Sequence, residues 1–226
     1  MSIGLAFYGG IYNFFSIWIL CLLQILPFLL ACAVGVSLLE MNASSRSRNV
    51  LPSLLPLFLT LIGFGFIYAA LEASPTRLAA FLFHYQAILL QMGGVFLFLA
   101  SFYLLGVLKL PSSMERSIRM GGTFLAGAIL GLAYQPCITP ILSGIVNLIK
   151  DPDYFSNGFV YLLCYTLGLT FSMGLAGGIL IFLFSHDKGS GLRPYAIKFC
   201  GLLLLAISAI ILFHKMTVYK SFLVGM

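Results

Sequence analysis

The feature of this chain that most restricts its fold is a series of long apolar segments with almost no charge in them. Each of six segments holds about 20 or more mostly apolar residues, the length that an α-helix needs to cross the hydrocarbon core of a bilayer. The segments cover about residues 12–38, 51–73, 83–108, 120–148, 157–184 and 195–214. Hydrophobic residues make up 61% of the 226 residues and charged residues only 8%, too few to cover a water-soluble protein.

The segments predict helices rather than β-strands. Strands of a membrane barrel are about ten residues long and alternate apolar with polar side chains, and these segments do not alternate. Backbone groups in hydrocarbon must be hydrogen-bonded within the protein, which leaves helices as the remaining choice. We therefore expect an all-α membrane protein with six transmembrane helices. Because the connections are short, residues 1–226 are expected to form a single transmembrane domain.

Lys and Arg are unevenly distributed over the connections and the termini. Connections one, three and five with their flanks carry eight of these residues, and the other side carries four. Cytoplasmic connections are enriched in Lys and Arg, so both termini are expected to be extracytoplasmic. The first basic residue is Arg46, so a cleaved signal peptide is not expected. The apolar surface is expected to face the lipid bilayer. The charge of +6 is spread over short connections rather than gathered on one face, which argues against nucleic acid as a partner.

A weak internal repeat relates the two halves of the chain. Cys21 and Cys137 lie 116 positions apart, and each is followed by a proline in the first of three predicted spans. A half with three spans begins and ends on opposite sides of the membrane, so two such halves insert in opposite orientations. We therefore predict two inverted three-helix repeats, at about 11–108 and 120–214, with the working site where they meet.

The sequence around Cys137 contains the strongest local signal. Pro136 and Pro140 flank this cysteine inside an apolar span, and a proline in a helix interior costs roughly 3 kcal/mol or more. Such a break is tolerated at membrane depth only where protein or a water-filled cavity covers it. A half-helix beginning near Pro140 would direct its positive end toward Cys137 and favour the reactive thiolate. The alternative interpretation is a kinked helix that holds a small buried cysteine.

Cys21 is the candidate partner of Cys137. A disulfide needs Cα atoms about 4.4–6.8 Å apart, which adjacent membrane helices permit where small residues line the contact. Gly127 and Gly131 have the spacing of such a close-packing face. The polar side chains near the two cysteines, which could hydrogen-bond a sulfur atom, are Gln24, Tyr134, Gln135 and Thr139.

The other candidate ligands and nucleophiles have simpler interpretations. A single cysteine in an apolar helix is usually a small buried hydrophobe, which is how we interpret Cys32, Cys164 and Cys200. The three histidines lie near the ends of spans and far apart in the sequence, which argues against a metal site. From the residues alone, an inverted-repeat permease or metal exporter without a redox role remains an alternative, as does a structural assembly subunit.

The motifs around both cysteines resemble those of the CcdA family, which is also the transmembrane module of DsbD-type thiol–disulfide transporters. The fourth span of that family carries a glycine-spaced run that ends in Pro-Cys-x-x-Pro. This chain matches that run at Gly127, Gly131, Pro136, Cys137 and Pro140. The resemblance covers nearly the whole chain and includes the fifth-span sequence from Tyr165 to Leu169 and the sixth-span sequence from Gly201 to Leu205.

The match to the first span of the family is partial. The family carries Pro-Cys-x-x-Pro-x-x-Pro there. Cys21 and Pro27 fit this pattern, whereas Leu20 and Gln24 replace the first two prolines. The departure concerns the shape of the first helix close to Cys21.

The resemblance implies six spans in an inverted repeat and one redox pair, Cys21 and Cys137. It implies a thiol–disulfide oxidoreductase-type electron carrier that takes electrons from cytoplasmic thioredoxin. The expected acceptor is an extracytoplasmic thioredoxin-like protein, often for cytochrome c maturation. The thiols themselves carry electrons and protons, so neither a bound cofactor nor a metal is expected. The implied location is the inner or cell membrane of a bacterium or archaeon, or a thylakoid membrane.

Overall fold

The chain forms α-helices throughout the part for which its structure is known. A computed structural model describes residues 2–16, 26–43, 51–73, 75–108, 115–133, 140–151, 153–185 and 191–213. The helices in chain order are α1 (Ile3–Ser16), α2 (Leu26–Ala43), α3 (Leu51–Glu72), α4 (Arg77–Leu104), α5 (Glu115–Ala133), α6 (Pro140–Lys150), α7 (Phe155–Ser185) and α8 (Arg193–Leu212). The prediction of an all-α protein is confirmed over these ranges.

Within the described ranges, four helices are long and apolar enough to cross a membrane. They contain the segments Leu54–Glu72, Arg77–Leu104, Phe155–Phe184 and Arg193–Leu212, which correspond to predicted spans two, three, five and six. Large apolar side chains on them face outward, and Phe66, Met92 and Phe182 are all more than half exposed. A surface of this kind suits lipid rather than water, and the chain is a multi-pass membrane protein.

Predicted spans one and four each coincide with two shorter apolar helices. Span one, at 12–38, falls on α1 and α2, and span four, at 120–148, falls on α5 and α6. The residues between the helices of each pair, 17–25 and 134–139, lie outside the described ranges. Helix α1 begins at Ile3, earlier than predicted, because the residues before position 12 are uncharged and continue the apolar pattern.

The ends of α4 illustrate how local sequence sets a helix boundary. Thr76 Oγ1 accepts a hydrogen bond from the Ala79 N–H at 3.2 Å and caps the helix, so α4 begins before the predicted start at 83. At the other end, Gly106 has a φ of +79°. The N–H groups of Gly106 and Val107 donate to carbonyls in the last turn of α4, an arrangement for which glycine is favoured.

The helices pack around one common core. Buried apolar residues from all eight helices belong to a single cluster, in which Phe64, Tyr165 and Leu204 are completely buried. Helices α3 and α7 contact each other, α5 packs along α3, and α1 packs along α7. Helix α4 packs with α8, α2 contacts α3, α5, α7 and α8, and α6 packs on α7. The first helix of each predicted half is therefore held against a long helix of the other half.

Candidate functional site

The predicted site residues are divided between the described and the undescribed parts of the chain. Those outside the described ranges are Cys21, Gln24, Tyr134, Gln135, Pro136, Cys137 and Thr139. Those inside are Pro27, Gly127, Gly131 and Pro140. The pairing of the two cysteines therefore stays a prediction, and the structure bears on it through the helices on either side.

The two predicted site prolines that lie in the described ranges are both at the start of a helix. Pro140 is the first residue of α6, and Pro27 is the second residue of α2. A proline is tolerated in the first turn because the N–H that it lacks has no partner within the helix there. Helix α6 begins three positions after Cys137, and α2 begins five positions after Cys21. In both spans the described part of a helix therefore begins shortly after the cysteine.

Gly127 and Gly131 form a close-packing face, and the helix that they face is α3. A Cβ atom on Gly127 would overlap the backbone carbonyl of Thr60, and one on Gly131 would lie 3.1 Å from the carbonyl oxygen of Phe64. Backbone cannot move aside as a side chain can, so only glycine fits at Gly127. From the sequence, this face was expected to allow the first span to approach the fourth. In the structure, the face instead packs α5 against α3.

A glycine of α3 lies in the same contact and faces the backbone of α5. A Cβ atom on Gly63 would overlap the carbonyl of Phe124 on α5. Helices α1 and α7 meet in a similar way, because a Cβ atom on Gly10 would overlap the carbonyl of Tyr165 and one on Gly168 would overlap that of Phe7. Each of these two helix pairs thus has one glycine on each partner.

A constant spacing in the sequence relates these two helix pairs. Each contact residue of α5 lies 117 positions after its counterpart in α1, and each contact residue of α7 lies 105 positions after its counterpart in α3. The counterparts are Gly10 and Gly127, Phe7 and Phe124, Gly63 and Gly168, and Thr60 and Tyr165. The contact of α1 with α7 therefore has the same pattern as the contact of α5 with α3.

A third reciprocal contact joins α4 and α8. A Cβ atom on Gly94 would lie 3.0 Å from Cγ2 of Ile211, and one on Gly201 would lie 3.3 Å from Cβ of Leu104. Gly201 follows Gly94 by 107 positions, and Ile211 follows Leu104 by the same number. In this third helix pair, too, each helix has one contact glycine, and the corresponding residues of the two helices are 107 positions apart.

The helices of predicted spans one and four touch each other at two places. Where α1 meets α6, a Cβ atom on Gly9 would lie 2.8 Å from Cγ2 of Ile141. Where α2 meets α5, Arg119 Nη2 lies 3.0 Å from Glu40 Oε2, and these two side chains are only 8% and 12% exposed. The undescribed segments 17–25 and 134–139 lie between these contacts along the chain.

A hydrogen bond near the end of α5 was not foreseen from the sequence. Gln86 Nε2 on α4 donates to the backbone carbonyl oxygen of Leu132 at 3.0 Å. The available signal was the amide itself, since a polar side chain inside an apolar span needs a partner. Asn13, near the end of α1, is a second such amide: it is 2% exposed, and its Oδ1 accepts no hydrogen bond from the described residues.

The remaining cysteines lie in helix contacts, as their interpretation as packing residues requires. Cys32 on α2 and Cys200 on α8 are buried free thiols, and Cys164 on α7 is partly buried. A Cβ atom on Gly35 would lie 2.9 Å from the Cβ of Cys200. The small size of glycine and cysteine thus allows α2 and α8 to approach closely.

Comparison with known proteins identifies relatives of the chain. Neither a protein-family model nor a solved structure matches it. The thiol:disulfide interchange protein DsbD of Tatumella citrea is 30% identical over 164 residues, and that of Klebsiella pneumoniae is 28% identical over 166. The cytochrome c-type biogenesis protein CcdA of Halalkalibacterium halodurans is 24% identical over 178 residues. The chain is CcdA/DsbD-like.

The extent of these alignments differs between the two kinds of relative. The aligned part of this CcdA/DsbD-like chain is 75% of its length and covers 72% of the CcdA protein. Against the two DsbD proteins, 66% of the chain aligns, and this covers only 26% and 27% of their length. The CcdA/DsbD-like chain thus corresponds to most of one relative and to about a quarter of the others.

Proposed function

We propose that this chain carries electrons across a membrane by thiol–disulfide exchange, with Cys21 and Cys137 as its redox pair. The names of the relatives, a cytochrome c-type biogenesis protein and two thiol:disulfide interchange proteins, support this chemistry and a role in cytochrome c maturation. The proposed electron donor is cytoplasmic thioredoxin. The proposed acceptor is an extracytoplasmic thioredoxin-like protein.

The observation that carries the proposal is the way in which the helices of predicted spans one and four meet. Helix α1 contacts α6, and α2 contacts α5, so the helices of the two spans pair in reverse chain order. Cys21 belongs to the stretch between these contacts in one span, and Cys137 belongs to the corresponding stretch in the other. This arrangement supports the approach of the two sulfur atoms.

The exchange consists of two balanced steps. A thiolate of reduced thioredoxin attacks the Cys21–Cys137 disulfide, and its second thiol resolves the mixed disulfide, so that thioredoxin leaves oxidised and the pair is reduced. The pair then reduces a disulfide of the acceptor in the same way, transferring two electrons and two protons. Thioredoxin at about −270 mV and an acceptor at up to about −120 mV provide at most roughly 7 kcal/mol.

The helices next to the cysteines favour this chemistry. A helix N-terminus has a partial positive charge that stabilises a nearby anion, and the thiolate is the reactive form of cysteine. Because α2 and α6 begin shortly after Cys21 and Cys137, each N-terminus is available to its cysteine. Pro27 and Pro140 lie in the first described turn of these helices.

We further propose that the chain is a single transmembrane domain of two inverted repeats, at about 11–108 and 120–214, with six spans. The constant spacings of the reciprocal glycine contacts support this, because two-fold related halves must make each such contact twice. In this proposal α1 with α2 forms the first span, and α5 with α6 forms the fourth. Each broken span then packs on an unbroken helix of the opposite half.

The proposed orientation has connections one, three and five in the cytoplasm and both termini outside, in the inner or cell membrane of a bacterium or archaeon or in a thylakoid membrane. The distribution of Lys and Arg supports it. The ion pair between Glu40 and Arg119 joins the end of α2 to the start of α5. These residues flank connections one and three, so their contact supports placing both connections on the same side.

The proposal is tested by removing one cysteine at a time. Cys21→Ala or Cys137→Ala should abolish electron transfer to the outer acceptor, because no disulfide can form with one sulfur. The remaining cysteine should trap thioredoxin as a mixed disulfide, and a thiol-alkylation gel shift with and without reductant measures the bond in the unmodified protein.

The matched control is Cys164→Ala, which removes a partly buried thiol from α7. This variant should keep both the reducible bond and the transfer. Full transfer by the Cys21→Ala protein, or five free thiols in the unmodified protein after oxidation, would contradict the proposed pair.

A further inference from the structure

The backbone carbonyl of Leu132 lacks its usual helical partner for a reason that the sequence makes certain. In an α-helix the carbonyl of residue 132 accepts from the N–H of residue 136. Residue 136 is a proline and has no N–H to donate. Leu132 is 6% exposed, so water has little access to this carbonyl. A buried carbonyl without a donor destabilises the turn that carries it.

Gln86 provides the missing donor from a different span. Its Nε2 lies 3.0 Å from the Leu132 carbonyl oxygen, within the normal range for an N–H···O hydrogen bond. Because the acceptor is a carbonyl, the nitrogen of the amide must be the atom that faces it. Gln86 is itself partly buried, in the third turn of the apolar helix α4. The side chain thus replaces the hydrogen bond that Pro136 removes.

We propose that Gln86 is a positioning residue for Cys137. It holds the last turn of α5, which ends at Ala133, four positions before the cysteine. The proposal rests on the role of Cys137 given above, although the contact between Gln86 and Leu132 does not. Without the donor, the end of α5 must move to satisfy the carbonyl, and the direction from which the chain enters the Cys137 segment changes with it.

The test compares Gln86 variants with and without the proline. Gln86→Met keeps a side chain of similar length but cannot donate, and Gln86→Leu is a second apolar variant in case the first does not fold. The rate of maleimide alkylation of Cys137 is measured by mass spectrometry on the reduced, full-length protein in detergent, over a range of pH. We expect the rate to change about fivefold, the effect of one lost hydrogen bond, with a shifted pH profile.

Restoring the backbone donor distinguishes positioning from packing. In a Pro136→Ala background, the N–H of residue 136 is available to the Leu132 carbonyl, so Gln86→Met should then change the rate little. An equal effect in both backgrounds, or no effect in either, would overturn the positioning role. Gln91→Met, which removes an exposed amide from the same helix, should leave the alkylation of Cys137 unchanged.

These outcomes are independent of electron transfer. A protein that never reduces an acceptor but shows the coupling between Gln86 and Pro136 would contradict the proposed function and support the positioning role. A protein that transfers electrons and shows no coupling would support the proposed function and contradict the positioning role of Gln86.

Discussion

Among the described charges, Glu40 and Arg119 form a contact that is nearly removed from solvent. Their side chains are 12% and 8% exposed, and the closest nitrogen and oxygen atoms are 3.0 Å apart. Two charges in such surroundings lose most of their hydration, which their mutual attraction only partly offsets. Removing one charge therefore destabilises the protein more than replacing both charges with apolar side chains. The stability of the packing between α2 and α5 thus depends on both residues.

We predict that Glu40→Gln destabilises the protein by roughly 3–5 kcal/mol, because the guanidinium of Arg119 stays buried without its carboxylate. The double variant Glu40→Gln with Arg119→Gln should lose less than the sum of the two single variants. Thermal unfolding in detergent measures both. Asp153→Asn, at an exposed position, is the control and should stay within about 0.5 kcal/mol of the unmodified protein. Additive losses would show that the contact contributes no coupling.

Gln86 and Pro136 illustrate what can be read from single residues. The proline was recognised in the sequence as a break near Cys137, because the lack of an N–H is a property of the residue itself. The donor that compensates for it, Gln86, lies 46 positions before Leu132, whose carbonyl it reaches. No local pattern connects the two, since the amide of Gln86 reaches Leu132 only when α4 and α5 are packed.

Glycines at helix crossings decide which helices can approach closely. A glycine whose missing Cβ would meet backbone cannot be replaced without separating the helices, whereas a glycine beside open space can. Helix α5 has examples of both kinds. A Cβ atom on Gly127 would overlap the carbonyl of Thr60, whereas a Cβ atom on Gly121 would have no described atom of a neighbouring element within 4 Å. The two positions in one helix form a natural pair for comparison.

We predict changes of opposite sign for alanine at these two positions. Gly127→Ala should destabilise the protein by about 1–3 kcal/mol, because the new methyl group forces α5 away from α3. Gly121→Ala should leave the packing unchanged and stabilise the helix by about 0.5–1 kcal/mol. Thermal unfolding and the amount of folded protein in the membrane measure the difference. Equal effects at the two positions would mean that α5 and α3 are not in close contact.

The helices themselves were predictable to different degrees. The four long helices follow from apolar segments that exceed the thickness of the bilayer, and their predicted boundaries agree with the structure to within a few residues except at the start of α4. That start was placed at 83, whereas Thr76 caps the helix. The cap depends on one hydroxyl group and its neighbouring backbone, a signal that hydropathy does not register.

Orientation in the membrane is a property of the whole molecule, because every span is reversed if one is. The net effect of eight Lys and Arg on one side against four on the other favours cytoplasmic connections one, three and five. If the halves are inverted repeats, the Glu40–Arg119 contact and the pairing of α1 with α6 and of α2 with α5 belong to one consistent topology. A measurement at two positions tests the orientation of that topology.

We predict that Ser2→Cys reacts with a membrane-impermeant maleimide in intact cells and that Ser45→Cys reacts only after the membrane is opened. Both variants are made in a background without the five natural cysteines, so that each signal comes from one thiol. The physical reason is the retention of Lys and Arg in the cytoplasm. The reverse labelling pattern would contradict the proposed orientation while leaving the helix packing as described.

The apolar segments are sufficient to identify this chain as a helical membrane protein and to locate its long helices, because apolar length is a local property that the bilayer selects directly. The prolines near the two cysteines predict breaks there, because a proline lacks its N–H donor in any fold. The contacts of Gly127 with α3, of Gln86 with Leu132 and of Glu40 with Arg119 became known from the packed helices. These contacts join residues distant in the chain, and they exist only because all the helices pack at once.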